Sequence, residues 1–236
     1  MFPLRDSIPS SKPPVVNVLL IAACVLAFFY ELMLGRWLEP FLRAYAFVPL
    51  RLFHPQAFHA SLAFNVFTMV FSMFLHGGWL HLLGNMWFLW VFGDNVEDAL
   101  GHGWYLVFYV FCGIAAALAQ ALMDPFSQVP MIGASGAIAG VLGAYFVWFP
   151  WSRVRTLVFL GFFATLTELP APVFLVLWFV IQFFSGTLSL AAAGAAAGGV
   201  AWFAHVGGFV AGAFLAWWLR RAGKVKPVPR YFVYWE

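Results

Sequence analysis

Residues 201–219 read AWFAHVGGFVAGAFLAWWL. As an α-helix the run is long enough to cross the roughly 30 Å hydrocarbon layer of a bilayer. It holds no Asp, Glu, Lys or Arg, and Arg220 and Arg221 close it where lipid headgroups would begin. Within it stands one histidine, His205. A polar, ionisable group in such a run is costly and demands a reason. The stretch therefore sets two expectations, a membrane-spanning helix and a polar group on it with a task.

The rest of the chain extends the pattern. Apolar residues make up 64% of the sequence and charged ones 9%, against roughly a quarter charged in a soluble domain. The expected fold class is all-α, a polytopic membrane protein with a six-helix bundle. Its spans are read over 15–34, 79–93, 104–123, 134–149, 172–184 and 201–219. Residues 15–34 are too long for a signal-peptide core and no A-x-A site follows, so they read as a retained span. Residues 1–14 form a polar, proline-rich segment, 15–221 the membrane domain and 222–236 a basic tail. Residues 35–78, broken by Pro40, Pro49 and Pro55, read as a long interfacial first loop. Asp94, Glu97, Asp98 and Gly101 read as a turn. Residues 156–169 read as an interfacial segment and 185–200 as small and flexible.

Charge sets the expected orientation. Arg5, Lys12, Arg153, Arg155, Arg220, Arg221, Lys224, Lys226 and Arg230 fall on one side of this topology, and Arg36, Arg43 and Arg51 on the other. The positive-inside tendency then places both termini in the cytoplasm. The basic residues lie at the ends of apolar runs, so the expected partner of this charge is the lipid bilayer, with no nucleic acid. Cys24 and Cys112 each sit inside an apolar run and read as buried, unreactive thiols. Nothing in the sequence marks an oligomeric state.

Four polar groups fall near the outer side of the bundle: His81, Asn85, Ser135 and His205. Ser135 lies in Gly133-Ala134-Ser135-Gly136 at the start of a helix, where free N–H groups and the positive dipole end suit a developing oxyanion. A serine there also serves small-residue helix packing. His205 is followed by Gly208 and Gly212, which allow close approach of a neighbouring helix. A neutral imidazole can take a serine proton, and it can equally bond between helices. His81 and Asn85, four apart, share a helix face and both donate hydrogen bonds. His76 sits at the loop–helix junction, off that face, and reads as structural.

The run His76-Gly77-Gly78-Trp79-Leu80-His81-Leu82-Leu83-Gly84-Asn85, then Gly133-Ala134-Ser135-Gly136, then Ala204-His205 with Gly208 and Gly212, resembles the rhomboid family of intramembrane serine proteases. The resemblance covers residues 64 to 215 in order. It implies a rhomboid-like bundle of six helices with a cavity open to the outer side. It implies Ser135 as nucleophile and His205 as general base, with an oxyanion site made of His81, Asn85 and the Ser135 N–H. Glu97 is implied as a structural carboxylate, and Gly133, Gly136, Gly208 and Gly212 as the close-packed surroundings. The implied activity is hydrolysis of peptide bonds in or near transmembrane segments of other membrane proteins, at an inner, cell-type membrane, with no cofactor and no metal. The pattern departs from the family in two places. Arg36-Trp37 reverses a Trp-Arg pair found in many members. Ala139 stands where some carry an aromatic ring stacked on the histidine, which leaves open how His205 is held. A metalloprotease would need a motif such as HExxH, which is absent from the sequence, and an aspartyl protease would need two intramembrane carboxylates, whereas Asp94, Asp98 and Asp124 read as lying in turns. A transporter would show repeats and midplane ligands. The alternative is an inactive, rhomboid-like relative that only binds membrane proteins; such relatives have usually lost the serine or the histidine, and this chain keeps both Ser135 and His205.

Overall fold

A computed structural model describes residues 1–160, 163–191 and 201–225. Its helices are α1 (Val15–Leu34), α2 (Leu38–Tyr45), α3 (Pro49–Phe53), α4 (Leu62–Ser72), α5 (Trp79–Leu100), α6 (His102–Met123), α7 (Ser135–Trp148), α8 (Ala171–Ala191) and α9 (Trp202–Arg221). Among the described residues, three stretches are long and apolar enough to cross a membrane by length and composition: Val15–Tyr45, His102–Met123 and Trp202–Arg221. Leu62–Ser72, Ser135–Trp148 and Ala171–Ser185 are shorter apolar helices. The outside of the bundle is itself apolar, with Leu80, Met33, Trp104 and Leu122 exposed. That is the surface of a molecule solvated by lipid tails.

At the centre lies α7. Its sequence, SGAIAGVLGAYFVW, is apolar or small all round, the composition of a helix buried on every side. It packs most extensively against α9. A methyl group built on Gly208 would collide with the Gly136 carbonyl, and one on Gly212 with the Gly140 carbonyl. On α7, Gly140 lies against Cys112 of α6, and Gly143 against Phe209 and Ala213 of α9. Backbones this close gain dispersion contact where there is little hydrophobic driving force between helices. A few buried hydrogen bonds add register. Asn17 Nδ2 donates to the Leu89 carbonyl at 2.9 Å, and Tyr105 Oη donates to Asn17 Oδ1 at 2.7 Å. Cys24 and Cys112 are free and buried.

Four expectations need correction. The fold is not all-α: Phe2–Asp6 (β1), Arg153–Leu160 (β2) and Phe163–Pro170 (β3) form a three-stranded antiparallel sheet in the order β1-β2-β3. Val154, Thr156, Val158, Thr165 and Thr167 supply β-branched residues to β2 and β3. Pro3 is tolerated because β1 is an edge strand. Residues 156–160 and 163–169 are thus strand rather than an interfacial segment, and part of the 1–14 segment is strand as well. Second, the first loop, 35–78, contains α2, α3 and α4, with Pro40 and Pro49 in first turns, where a missing N–H costs nothing. Third, α5 continues past Gly93 to Leu100, so Asp94, Glu97 and Asp98 are helical rather than in a turn. Their partners lie on the N-terminal segment and α1: Ser11 N and Oγ both donate to Asp98 Oδ2 at 2.7 Å. Fourth, α8 extends to Ala191. The remainder of the small-residue stretch, 192–200, and the tail from 226 lie outside the described residues.

Candidate active site

Ser135 is the first residue of α7, and no side chain caps that N-terminus. The approach to it is pinned from the first loop. Met131 N donates to the Phe47 carbonyl at 2.8 Å and Gly133 N to the Ser72 carbonyl at 2.9 Å, while Phe47 N donates to Ser72 Oγ at 2.7 Å. Gly133 adopts φ +121°, a left-handed conformation that favours glycine. A Cβ there would also lie 2.7 Å from His81 Nε2. Only glycine lets the chain pass the imidazole on its way into α7.

His205 lies in the first turns of α9, 8% exposed. The glycine contacts of α7 and α9 bring its ring onto the serine. Ser135 Oγ–H donates to His205 Nε2 at 2.7 Å. On the opposite edge, His205 Nδ1–H donates to Gln182 Oε1 of α8 at 2.5 Å. Trp178 of α8 is tilted 36° to the imidazole at 5.9 Å between ring centroids, and Trp202 stands edge-on at 6.0 Å. The histidine is therefore held from α8 and from its own helix. Ala139 is consumed in the α7–α9 contact, its Cβ facing Gly208.

His81 and Asn85 project from one face of α5 toward Gly133, two residues before the serine. Gly77 N donates to His81 Nδ1 at 3.3 Å. Asn85 is 8% exposed, and its Nδ2 has no partner among the described residues. A buried amide donor left open beside a serine is what a developing oxyanion would take up. Beside Ser135 a small cavity of about 40 Å³ is lined by Met73, Gly113, Ala116, Gly136 and Ala204 among others.

The other residues singled out from sequence lie further from this chemistry. His76 donates its backbone N–H to the Glu31 carboxylate at 3.0 Å, and its Nδ1 contacts the Phe74 carbonyl at 3.1 Å. Its ring stands edge-on to His81 at 5.2 Å between centroids. Glu97, 1% exposed, sits at the opposite end of α5 from His81. It accepts from Val16 N at 2.9 Å and Asn17 N at 2.7 Å, capping the N-terminus of α1, and contacts His102 Nδ1 at 2.5 Å. No group of three or more His, Cys, Asp or Glu able to hold a metal occurs among the described residues. Sequence reasoning missed Gln182, Trp178 and Glu31. The signal for Gln182 was present: it is the one amide in the otherwise apolar run PVFLVLWFVIQFF.

The Rhomboid domain model matches residues 63–222, more than half of the chain. The chain belongs to the rhomboid family, and it is a multi-pass membrane protein. Rhomboid protein 1, mitochondrial, of Saccharomyces cerevisiae is 29% identical over 161 residues, 66% of this chain and 42% of that protein. Rhomboid protease GlpG of Yersinia enterocolitica is 30% identical over 156 residues, 65% of this chain and 48% of that protein. Rhomboid-like protein 11, chloroplastic, of Arabidopsis thaliana is 33% identical over 101 residues, 41% of this chain and 35% of that protein. The match covers less than half the length of each of these relatives.

Proposed function

We propose that this protein is an intramembrane serine endopeptidase that hydrolyses peptide bonds in or near transmembrane segments of other membrane proteins. The observation that carries the proposal is the 2.7 Å hydrogen bond from Ser135 Oγ to His205 Nε2 in an apolar bundle. In the acylation step, Ser135 Oγ bonds to the substrate carbonyl carbon as its proton passes to His205 Nε2. The carbonyl π electrons move to oxygen, and the oxyanion is met by Asn85, His81 and the Ser135 N–H. Collapse expels the amine, which takes the proton from His205. Water, deprotonated by the same imidazole, then releases the acyl group.

Helix length supports a site below the membrane surface. The 14 residues of α7 span about 21 Å, short of the roughly 30 Å hydrocarbon layer. Its serine end therefore opens within the bundle, while its other end leads into the sheet. Read as six spans, α1, α5, α6, α7, α8 and α9 put the start of α1 and the end of α9 on the sheet side. The excess of Arg and Lys there makes that side cytoplasmic and the site open to the outer side. The small cavity beside Ser135 fits an alanine-sized side chain at the cleavage position.

The test uses purified protein in detergent with a fluorophosphonate serine-hydrolase probe and a model transmembrane substrate. Wild type is expected to be labelled and to cleave next to a small residue. Ser135→Ala is expected to abolish both while keeping the melting temperature of wild type. Cleavage by Ser135→Ala well above background would reject the assignment.

A further inference from the structure

We propose that Gln182 is a positioning residue for His205, a neutral third member of the array whose side-chain carbonyl holds the imidazole as the Nδ1–H tautomer. The proposal rests on the serine–histidine assignment made above.

An imidazole that is to receive the Ser135 proton must present a lone pair at Nε2, so its hydrogen must reside on Nδ1. A free ring interconverts between the two tautomers, and only one is competent. The geometry supplies the lock: Gln182 Oε1, which can only accept, lies 2.5 Å from Nδ1 while Ser135 Oγ lies 2.7 Å from Nε2. Both partners of this bond are buried, at 8% exposure each, so water competes little for either. Trp178 and Trp202 confine the ring at about 6 Å, but an aromatic wall does not choose which nitrogen carries hydrogen. The amide does. Once the proton has moved, the imidazolium bears N–H at both nitrogens, and the Nδ1–H bond to the amide oxygen strengthens as positive charge develops. A carboxylate here would stabilise the cation more, at the expense of burying a charge among apolar helices. A neutral acceptor avoids that penalty, as the Asn of Cys-His-Asn proteases does. Because Gln182 is on α8 and Ser135 on α7, the imidazole of α9 is oriented by groups on two other helices.

The experiment measures kcat and KM against a transmembrane substrate across pH, with melting temperatures on the same preparations, for wild type, Gln182→Met and Gln182→Glu. Methionine keeps length and volume but removes the acceptor. Its kcat is expected to fall about 10- to 100-fold at unchanged KM, the scale of a lost orienting contact, with the melting temperature within a few degrees of wild type. Glutamate keeps the acceptor and adds charge. It is expected to retain turnover above its acid limb, and that limb should lie about one pH unit higher than in wild type, because a carboxylate favours the imidazolium. His81 is unchanged in both variants, so the contrast isolates position 182. A packing role alone would move melting temperature and leave the limb in place. Wild-type kcat in Gln182→Met overturns the proposal. So does a folded Gln182→Glu that is as slow as Gln182→Met at every pH, or one whose acid limb is unmoved. A wild-type protein that neither labels nor cleaves would instead overturn the function assignment. Ser135-dependent cleavage indifferent to residue 182 would overturn only the role of Gln182.

Discussion

Asn85 holds a buried Nδ2 with no partner among the described residues, and leaving such a donor unpaired costs about 1–3 kcal/mol. The resting protein bears that cost, and under the proposed function an oxyanion would relieve it. Removing one oxyanion donor from a well-studied serine protease costs about 10²–10³ in turnover. Here the Ser135 N–H and one side chain would remain, so Asn85→Ala and His81→Ala are each expected to lower kcat about tenfold to a hundredfold. Melting temperature should stay level or rise for Asn85→Ala. Steady-state cleavage and thermal melts of both variants check this, and full turnover in both would remove these residues from the oxyanion site. At this scale the sequence was informative because polar side chains are rare in apolar runs, and His81, Asn85, Ser135 and His205 stood out for that reason. Gln182 obeys the same rule, but an uncharged amide signals less than a histidine and its partner lies on another helix.

Between elements, the decisive contact is glycine against backbone. Gly208 faces the Gly136 carbonyl and Gly212 the Gly140 carbonyl, so the spacing of α7 and α9 is set by main-chain atoms that have no rotamer with which to yield. Gly208→Val and Gly212→Val are expected to cost about 1–3 kcal/mol, the range for overpacked cores. Turnover should fall with stability, because a displacement of about 1 Å at reacting groups costs up to a hundredfold. Ser135→Ala should lower turnover alone, so the two classes separate on a plot of rate against melting temperature. Wild-type values of both for the valine variants would mean that the helices do not pack through these glycines. The long helices were legible from apolar run length, and α1 begins and ends at Val15 and Leu34 as read. The end of α5 was not. Acidic residues near a glycine resemble a turn in sequence, and the N-terminal segment and α1, some 80 positions away, supply donors to Asp98 and Glu97 that the local sequence does not show.

For the molecule as a whole, the sheet ties the N-terminal segment to the connection between α7 and α8. Its strands escaped sequence reading because 156–169 is short, apolar and flanked by spans, and periodicity alone does not tell such a run from helix. Asp6, at the end of β1, is buried and accepts from Tyr145 Oη at 2.5 Å. Burial, with Asp94 nearby adding to it, pushes the Asp6 carboxyl up to about 8. The folded state therefore holds this proton over a range where the unfolded chain has released it. Stability from this group is full below the ordinary value of 3.8 and is lost as pH rises through about 8. Melting temperature is expected to fall between pH 6 and pH 9 in wild type, and Asp6→Asn should flatten that slope. An unchanged slope would mean that Asp6 is not the titrating group. The pairing of β1 with β2 also has a consequence in time. Phe2–Asp6 pairs with residues up to Leu157, so the edge strand is synthesised about 150 residues before its template. At roughly 5–20 residues per second, the wait is on the order of 10 s. During biogenesis the strand must stay unpaired at the membrane surface while several helices insert, and ribosome-bound chains arrested before β2 should expose it to protease, whereas released chains should not.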